Sequence, residues 1–208
     1  MSGAREAAAA QLDVSRETLA RFDSYVGLLE KWNPAINLIA KSTVSELWSR
    51  HILDSAQLFS LGPEGARLWA DLGAGGGFPG LVIAILAAEK APELRLTLVE
   101  SDLRKAEFLR TVLRETGLAA DLRAERIEAL PPLGADVVSA RALAPLSTLL
   151  SFAERHLAEG GVALFPKGRR YQAEITESLE RWRFSVQKQP SMTEPGAVIL
   201  RIGDISRA

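Results

Sequence analysis

The chain has 208 residues, 47% of them hydrophobic and 25% charged, with a net charge of −1. That composition fits one globular domain with a small extension and excludes a disordered chain. The absence of cysteine excludes disulfides, thiolate-bound zinc and a cysteine nucleophile. The near-zero charge excludes a uniformly basic nucleic-acid binder, leaving room for a local basic face.

The alanine-rich segment over 1–11 carries Arg5 and Glu6 and does not read as a signal peptide. Leu19, Phe22, Val26, Leu29 and Trp32 then recur at spacings of three and four, making one apolar helix face. Asn33-Pro34 is expected to end that helix, because a residue before proline avoids the helical region. Thr43-Val44-Ser45-Glu46 has the capping-box pattern and predicts a second helix to about Leu61, with Leu47, Ile52 and Leu58 inward. Gly62-Pro63-Glu64-Gly65 is a turn cluster.

After this turn the period changes. Strands are predicted at 68–72, 94–99, around Leu122, at 136–139 and at 161–165. Helices are predicted at 79–90, 103–116, 146–157 and 171–182, and two late strands at 184–189 and 197–202 follow one another without a helix. The longest apolar run, over 81–88, is too short to span a bilayer, so a cytoplasmic location with no membrane partner is expected. Alternating strands and helices predict an α/β fold, a mostly parallel sheet with helices on both faces and an antiparallel edge. Residues 1–65 read as a helical extension and 66–208 as the sheet domain, packed as one unit. Ligands in such sheets bind beyond the carboxyl ends of the strands.

The segment from Asp71 to Gly80 follows a strand and opens a helix, and Gly73, Gly75, Gly76, Gly77 and Gly80 fall within it. Bare backbone there can turn sharply against a ligand. Counted from Gly75, the spacing satisfies the dinucleotide fingerprint; counted from Asp71, it resembles the first motif of S-adenosylmethionine methyltransferases. Gly73 directly follows the strand in the second count. Pro79 also removes a donor that a pyrophosphate would want, which an adenosyl ligand without phosphate does not miss. Glu100 ends the second strand, where a carboxylate can accept both ribose hydroxyls of an adenosine or stand as a solvated group beside Ser101.

At this point the sequence resembles a family, the bacterial 16S rRNA guanine-N7 methyltransferases (RsmG or GidB), from about Leu28 to Gly168. The carrying segments are Trp32-Asn33-x-x-Ile36-Asn37-Leu38, Arg50-His51-Ile52-Leu53-Asp54-Ser55 and the glycine loop continued by Phe78-Pro79-Gly80. Arg104-Lys105-x-x-Phe108-Leu109, Arg126-x-Glu128, Ser139-Ala140-Arg141-Ala142 and Lys167-Gly168 follow in order. The resemblance implies a Rossmann-like methyltransferase sheet, S-adenosylmethionine as methyl donor and 16S rRNA of the small ribosomal subunit as substrate. It implies a cofactor pocket of Asp71, Gly73, Gly75, Gly77 and Phe78, with Glu100, Ser101 and Asp102 on the ribose side. Ile127 and Glu128 match the turn beside the adenine, and Arg141 a residue near the methionine end. The sequence departs from the family at the turn Glu100-Ser101-Asp102 and in the short tail after Lys167.

Guanine N7 has a free lone pair and no proton to lose, so no general base is sought; alignment and proximity suffice. The product base is cationic, and a nearby carboxylate or carbonyl would stabilise it. Asn37, His51, Asp54 and Arg141 are the candidates for contact at the reacting end. His51 has the alternative of a packing histidine, and Arg141 that of a salt bridge to Glu100 or Asp71. Lys167, Arg169 and Arg170 are candidates for RNA phosphate, or a solvated edge. Trp32, Trp48 and Trp69 read as core. No His/Asp/Glu cluster has metal-ligand spacing, so no metal is expected, and the chain is expected to act as a monomer. A nicotinamide oxidoreductase or a small-molecule methyltransferase is the alternative reading of the same loop.

Overall fold

The computed structural model describes residues 2–208; Met1, which opens the alanine-rich segment, lies outside them. Five strands run parallel in one direction. These are β1 (Leu68–Leu72), β2 (Arg95–Val99), β3 (Asp121–Arg123), β4 (Ala135–Ser139) and β5 (Leu157–Lys167). β6 (Trp182–Pro190) and β7 (Val198–Arg207) complete a seven-stranded sheet of order β3-β2-β1-β4-β5-β7-β6. β7 runs antiparallel to both of its neighbours, which forms the expected antiparallel edge. The order reverses between β1 and β4. A crevice therefore opens beyond their carboxyl ends, where the glycine loop and Arg141 emerge.

The hydrophobic pattern explains the layers. β1 is buried almost throughout, as a strand covered on both faces must be. α4 (Gly80–Lys90) is buried on every side from Gly80 to Ala87, whereas α5 (Leu103–Thr116) and α6 (Leu146–His156) bury one face each. α7 (Tyr171–Ser178) stops short of the predicted end. Trp182 leaves the helix to open β6, where its ring is buried under Arg207, with 3.9 Å from the guanidinium carbon to the ring centroid. β5 begins at Leu157, earlier than predicted, because Leu157 already pairs with Ala135 of β4.

The N-terminal part differs most from expectation. The alanine-rich segment forms α1 (Ser2–Leu12), tied to the next helix by Arg5 and Asp23. α2 (Arg16–Ile36) runs through Pro34 instead of ending before it. Proline falls in the last turn, and the Asn33 side chain repairs the chain end by accepting the N–H of Ile39 at 2.9 Å. Asn37 caps the helix in the left-handed conformation, φ 50°, and donates its N–H to the Asn33 carbonyl. The second helix is broken rather than continuous. It comprises a 3₁₀ segment Lys41–Glu46, a π-helical turn Trp48–Leu53, α3 (Asp54–Ala56) and a 3₁₀ turn Phe59–Leu61. The capping box does not form. The Thr43 hydroxyl donates to the Ala40 carbonyl and pairs with His51 instead of capping a backbone amide. Leu47, Ile52 and Leu58 do point inward. One apolar cluster runs from Phe22, Tyr25 and Leu29 of α2 to Phe78, Leu81 and Phe108, so the helical part and the sheet part share a core.

Candidate active site

The glycine loop is fastened from below and from behind. The N–H groups of Gly73 and Ala74 both donate to the Val99 carbonyl, at 2.8 and 2.9 Å, joining the loop to the end of β2. Gly73 has φ +70°, a left-handed conformation that favours glycine, and a Cβ there would stand 2.6 Å from Leu143 Cδ1, so that side chain would have to move. Asp71 lies fully buried under the loop. It accepts the Gly80 N–H at 2.9 Å and the Ser139 hydroxyl at 2.7 Å, and Ser139 in turn accepts from Trp69 Nε1. Burial pushes the Asp71 carboxyl up to about 7, against the opposing pull of those hydrogen bonds. From α2, Tyr25 donates its phenol to the Gly76 carbonyl; burial raises its pKa well above the usual value, which keeps it a donor.

Above the loop is a cleft of about 560 Å³. Gly73, Gly75 and Gly76 form its floor and Leu38 and Ile39 part of its rim. Glu100 stands on one side, its oxygens accepting from Gly75 N–H at 2.8 Å and Asp102 N–H at 2.7 Å. Each oxygen retains a second lone pair for a ligand hydroxyl. At the far end, Ile127 and Glu128 sit on a short 3₁₀ turn. His156 of α6 supports that turn through the Ile127 carbonyl at 3.2 Å, and Arg155 through the Leu130 carbonyl at 2.6 Å.

The opposite wall is built on Arg141, just after β4. Its guanidinium lies over the Phe78 ring, 5.2 Å from the centroid, and donates to Asp54 Oδ2 at 3.0 Å and to His51 Nδ1. Neither predicted partner, Glu100 or Asp71, receives it: the ion pair is made with Asp54 instead. His51, in the π-helical turn, and Asp54, which opens α3 directly after it, meet the same guanidinium. Burial lowers the His51 pKa to about 4, with the charges of Arg141 and Arg50 adding to it. The ring is therefore neutral at pH 7. It accepts from Arg141 at Nδ1, which assigns its proton to Nε2, facing Thr43 Oγ1 at 2.8 Å.

A second cleft of about 760 Å³ opens on the other side of this wall. His51, Arg141 and the run from Ala142 to Ala144 line both clefts. Ala142 holds φ +53°, a strained value for a residue with a Cβ. Lys167 lies in the second cleft but is not free. It binds Glu174 at 2.7 Å and the Ala144 carbonyl at 3.0 Å, and Glu174 also accepts the Leu146 N–H that opens α6. Arg169 and Arg170 are exposed, and Arg170 lines the cleft beside Lys167.

Comparison with known proteins gives the family and the fold. A family model described as GidB, rRNA small subunit methyltransferase G, matches residues 18–199. The chain belongs to this family. A relative from a Ruegeria species named ribosomal RNA small subunit methyltransferase G is 54% identical over 95% of this chain and 96% of that protein. A solved methyltransferase from Geobacter sulfurreducens has a TM-score of 0.58 at 18% identity, covering 86% of this chain and 87% of that one. TYW2 from M. jannaschii, solved in complex with AdoMet, has a TM-score of 0.53 at 14% identity, covering 82% of this chain and 78% of that one. These structures share the sheet.

Of the residues singled out in the sequence, Gly73, Gly75, Phe78, Glu100, Ser101, Ile127, Glu128 and Arg141 line the first cleft. Asp71, Gly77 and Asp102 do not. Asp71 is buried beneath the loop, and Gly77 packs under it with φ +94°. Asp102 caps α5 through the Arg104 and Lys105 N–H groups, which hold its carboxyl below the usual range. Asn37 is exposed at the end of α2, outside both clefts, while its neighbour Leu38 lines the first. Trp48 and Trp69 are buried and Trp32 packs against the core. Among the described residues no group of three or more His, Asp or Glu is placed to hold a metal ion. Three residues that buttress the site were not among the candidates: Tyr25 carries no motif and falls three residues after Phe22 on α2, Thr43 was read only as a helix cap, and Ser139 only as part of a family segment.

Proposed function

We propose that the chain transfers a methyl group from S-adenosylmethionine to N7 of a guanine in 16S rRNA of the small ribosomal subunit. Family membership supports the RNA methyltransferase activity. The single observation that carries the reaction geometry is the pair of clefts meeting at one wall, His51 and Arg141 to Ala144, with the glycine loop on one side of it. A donor and an acceptor can then face each other from separate entrances.

The residues of the first cleft fit an adenosyl ligand. Gly73 leaves bare backbone where a side chain would intrude, Glu100 offers lone pairs to ribose hydroxyls, and Ile127 with Val99 supplies an apolar surface for adenine. When bound, S-adenosylmethionine supplies a sulfonium methyl that the N7 lone pair attacks directly. No residue has to remove a proton. His51 is accordingly not read as a base: its Nδ1 lone pair is taken by Arg141 and its ring is neutral. Its role, with Arg141 and Phe78, is to hold the wall between the two clefts. Arg169 and Arg170 would meet RNA phosphate, while Lys167 holds the wall's backbone at Ala144. Leu38, Ile39 and His51, from the N-terminal helical part, line the first cleft, which supports reading the helical extension and the sheet domain as one working unit.

The test is transfer of label from methyl-labelled S-adenosylmethionine to small ribosomal subunits from cells lacking this gene, followed by nucleoside separation. Label in 7-methylguanosine of 16S RNA is expected. Cofactor binding without label on subunits would overturn the RNA reading in favour of a small acceptor.

A further inference from the structure

We infer that Asp54 is a positioning residue that keeps the Arg141 wall electrically neutral, and that it thereby lets the site favour S-adenosylmethionine over its uncharged-sulfur product S-adenosylhomocysteine. This rests on the methyl-transfer reading above.

The reaction conserves one positive charge. The S–CH3 bond breaks with its electron pair returning to sulfur, the N7 lone pair forms the new N–CH3 bond, and no proton moves. A cation is therefore present in the site throughout, first on sulfur and then on the base. Yet the wall that separates the two clefts carries a fixed cation of its own, Arg141. Left alone, that guanidinium would repel both charged states.

Asp54 removes the conflict. Its Oδ2 receives Arg141 Nη1 at 3.0 Å, and both side chains are less than one-fifth exposed, at 18% and 19%, so solvent screens the pair weakly. Its Oδ1 is held by Thr193 Oγ1 at 2.6 Å and Gln57 Nε2 at 2.9 Å, which fixes the carboxylate toward the guanidinium. Asp71 feels the charge of Arg141, but burial pushes its carboxyl up to about 7 and its hydrogen bonds go to Gly80 and Ser139, so the direct pairing is left to Asp54. His51 is neutral, Arg50 is paired with Glu194 at 3.0 Å, and Glu100 is turned to Gly75 and Asp102. Asp54 lines the second cleft and not the first, so its carboxylate lies on the acceptor side, toward which the charge moves.

The test measures the affinities of S-adenosylmethionine and S-adenosylhomocysteine by calorimetry for the full chain and two variants. Asp54→Asn is expected to weaken S-adenosylmethionine about tenfold, the order expected for one unit charge at a partly buried site, while S-adenosylhomocysteine changes less than about twofold. Arg141→Gln is expected to shift the ratio the other way, toward S-adenosylmethionine, even where both affinities fall. Asp54→Glu should retain the native ratio. Equal losses for both ligands in Asp54→Asn, or a ratio that moves in the same direction in Asp54→Asn and Arg141→Gln, would overturn the inference. Retained binding of S-adenosylhomocysteine reports that the variants are folded. Failure of the unaltered chain to bind either ligand would instead remove the methyl-transfer reading itself.

Discussion

Asp71 offers a prediction whose sign and size both follow from its surroundings. Its carboxyl is fully buried and titrates near 7 rather than 3.8, with burial as the main cause. The native state therefore binds that proton more tightly than the unfolded chain. Stability from this group is fully present below about pH 4 and is lost as pH rises toward 7, at about 1.4 kcal/mol per pH unit and about 4 kcal/mol in all. In Asp71→Asn the amide oxygen can still accept the Gly80 N–H and the amide N–H can donate to Ser139, but nothing titrates. The stability of the variant relative to the unaltered chain should thus rise by about 2 kcal/mol between about pH 5 and pH 7, the slope flattening as the group half-ionises near 7. For a chain of this length that corresponds to a change of roughly 4–8 °C in the difference of melting temperatures. Thermal unfolding followed by circular dichroism at several pH values reads it. A difference that stays constant with pH would refute the reasoning and place the Asp71 pKa near its ordinary value.

Other consequences are simpler to measure. Glu100→Ala leaves the Gly75 and Asp102 N–H groups without their acceptor, and cofactor affinity should fall by about 2–3 kcal/mol in calorimetry. Gly77→Ala should destabilise by about 3 kcal/mol or more in denaturant unfolding, because a Cβ would sit 2.8 Å from the Tyr25 hydroxyl and closer still to Leu81 at a left-handed backbone position. At Gly65, with similar φ and nothing within 4 Å, the same change should cost only about 1 kcal/mol. Lys167→Ala should lower the melting temperature by stranding Glu174, whereas Arg169→Ala with Arg170→Ala should leave stability intact. That double variant should instead weaken subunit binding and reduce its salt slope by about 2.

The sheet domain was readable because its signals are local. A short apolar strand, a glycine turn and an apolar helix follow one another, and each β-strand and α-helix from Leu68 to Thr116 lies within a residue or so of its predicted place. Two of the floor residues, Gly73 and Gly75, were readable for the same reason, whereas Gly76 lines the cleft in place of the expected Gly77. The N-terminal part was not, because its conformation is decided by tertiary partners. Thr43 has a capping sequence but turns to His51, and Pro34 sits in a helix that Asn33 repairs from its side chain. His51 and Asp54 could be placed together by their spacing, but their meeting with Arg141 is a tertiary contact between residues distant in sequence. Lys167 reads as one of three adjacent cations, and only packing against Glu174 separates it from Arg169 and Arg170.

The most direct measurement on the site is a crystal structure of the chain with S-adenosylhomocysteine. The ribose hydroxyls should lie on Glu100, the adenine by Ile127 and the sulfur facing the Arg141–Ala144 wall, leaving the second cleft open for a base. A ligand lodged in the second cleft, or reversed so that its amino-acid end meets Glu100, would contradict the account.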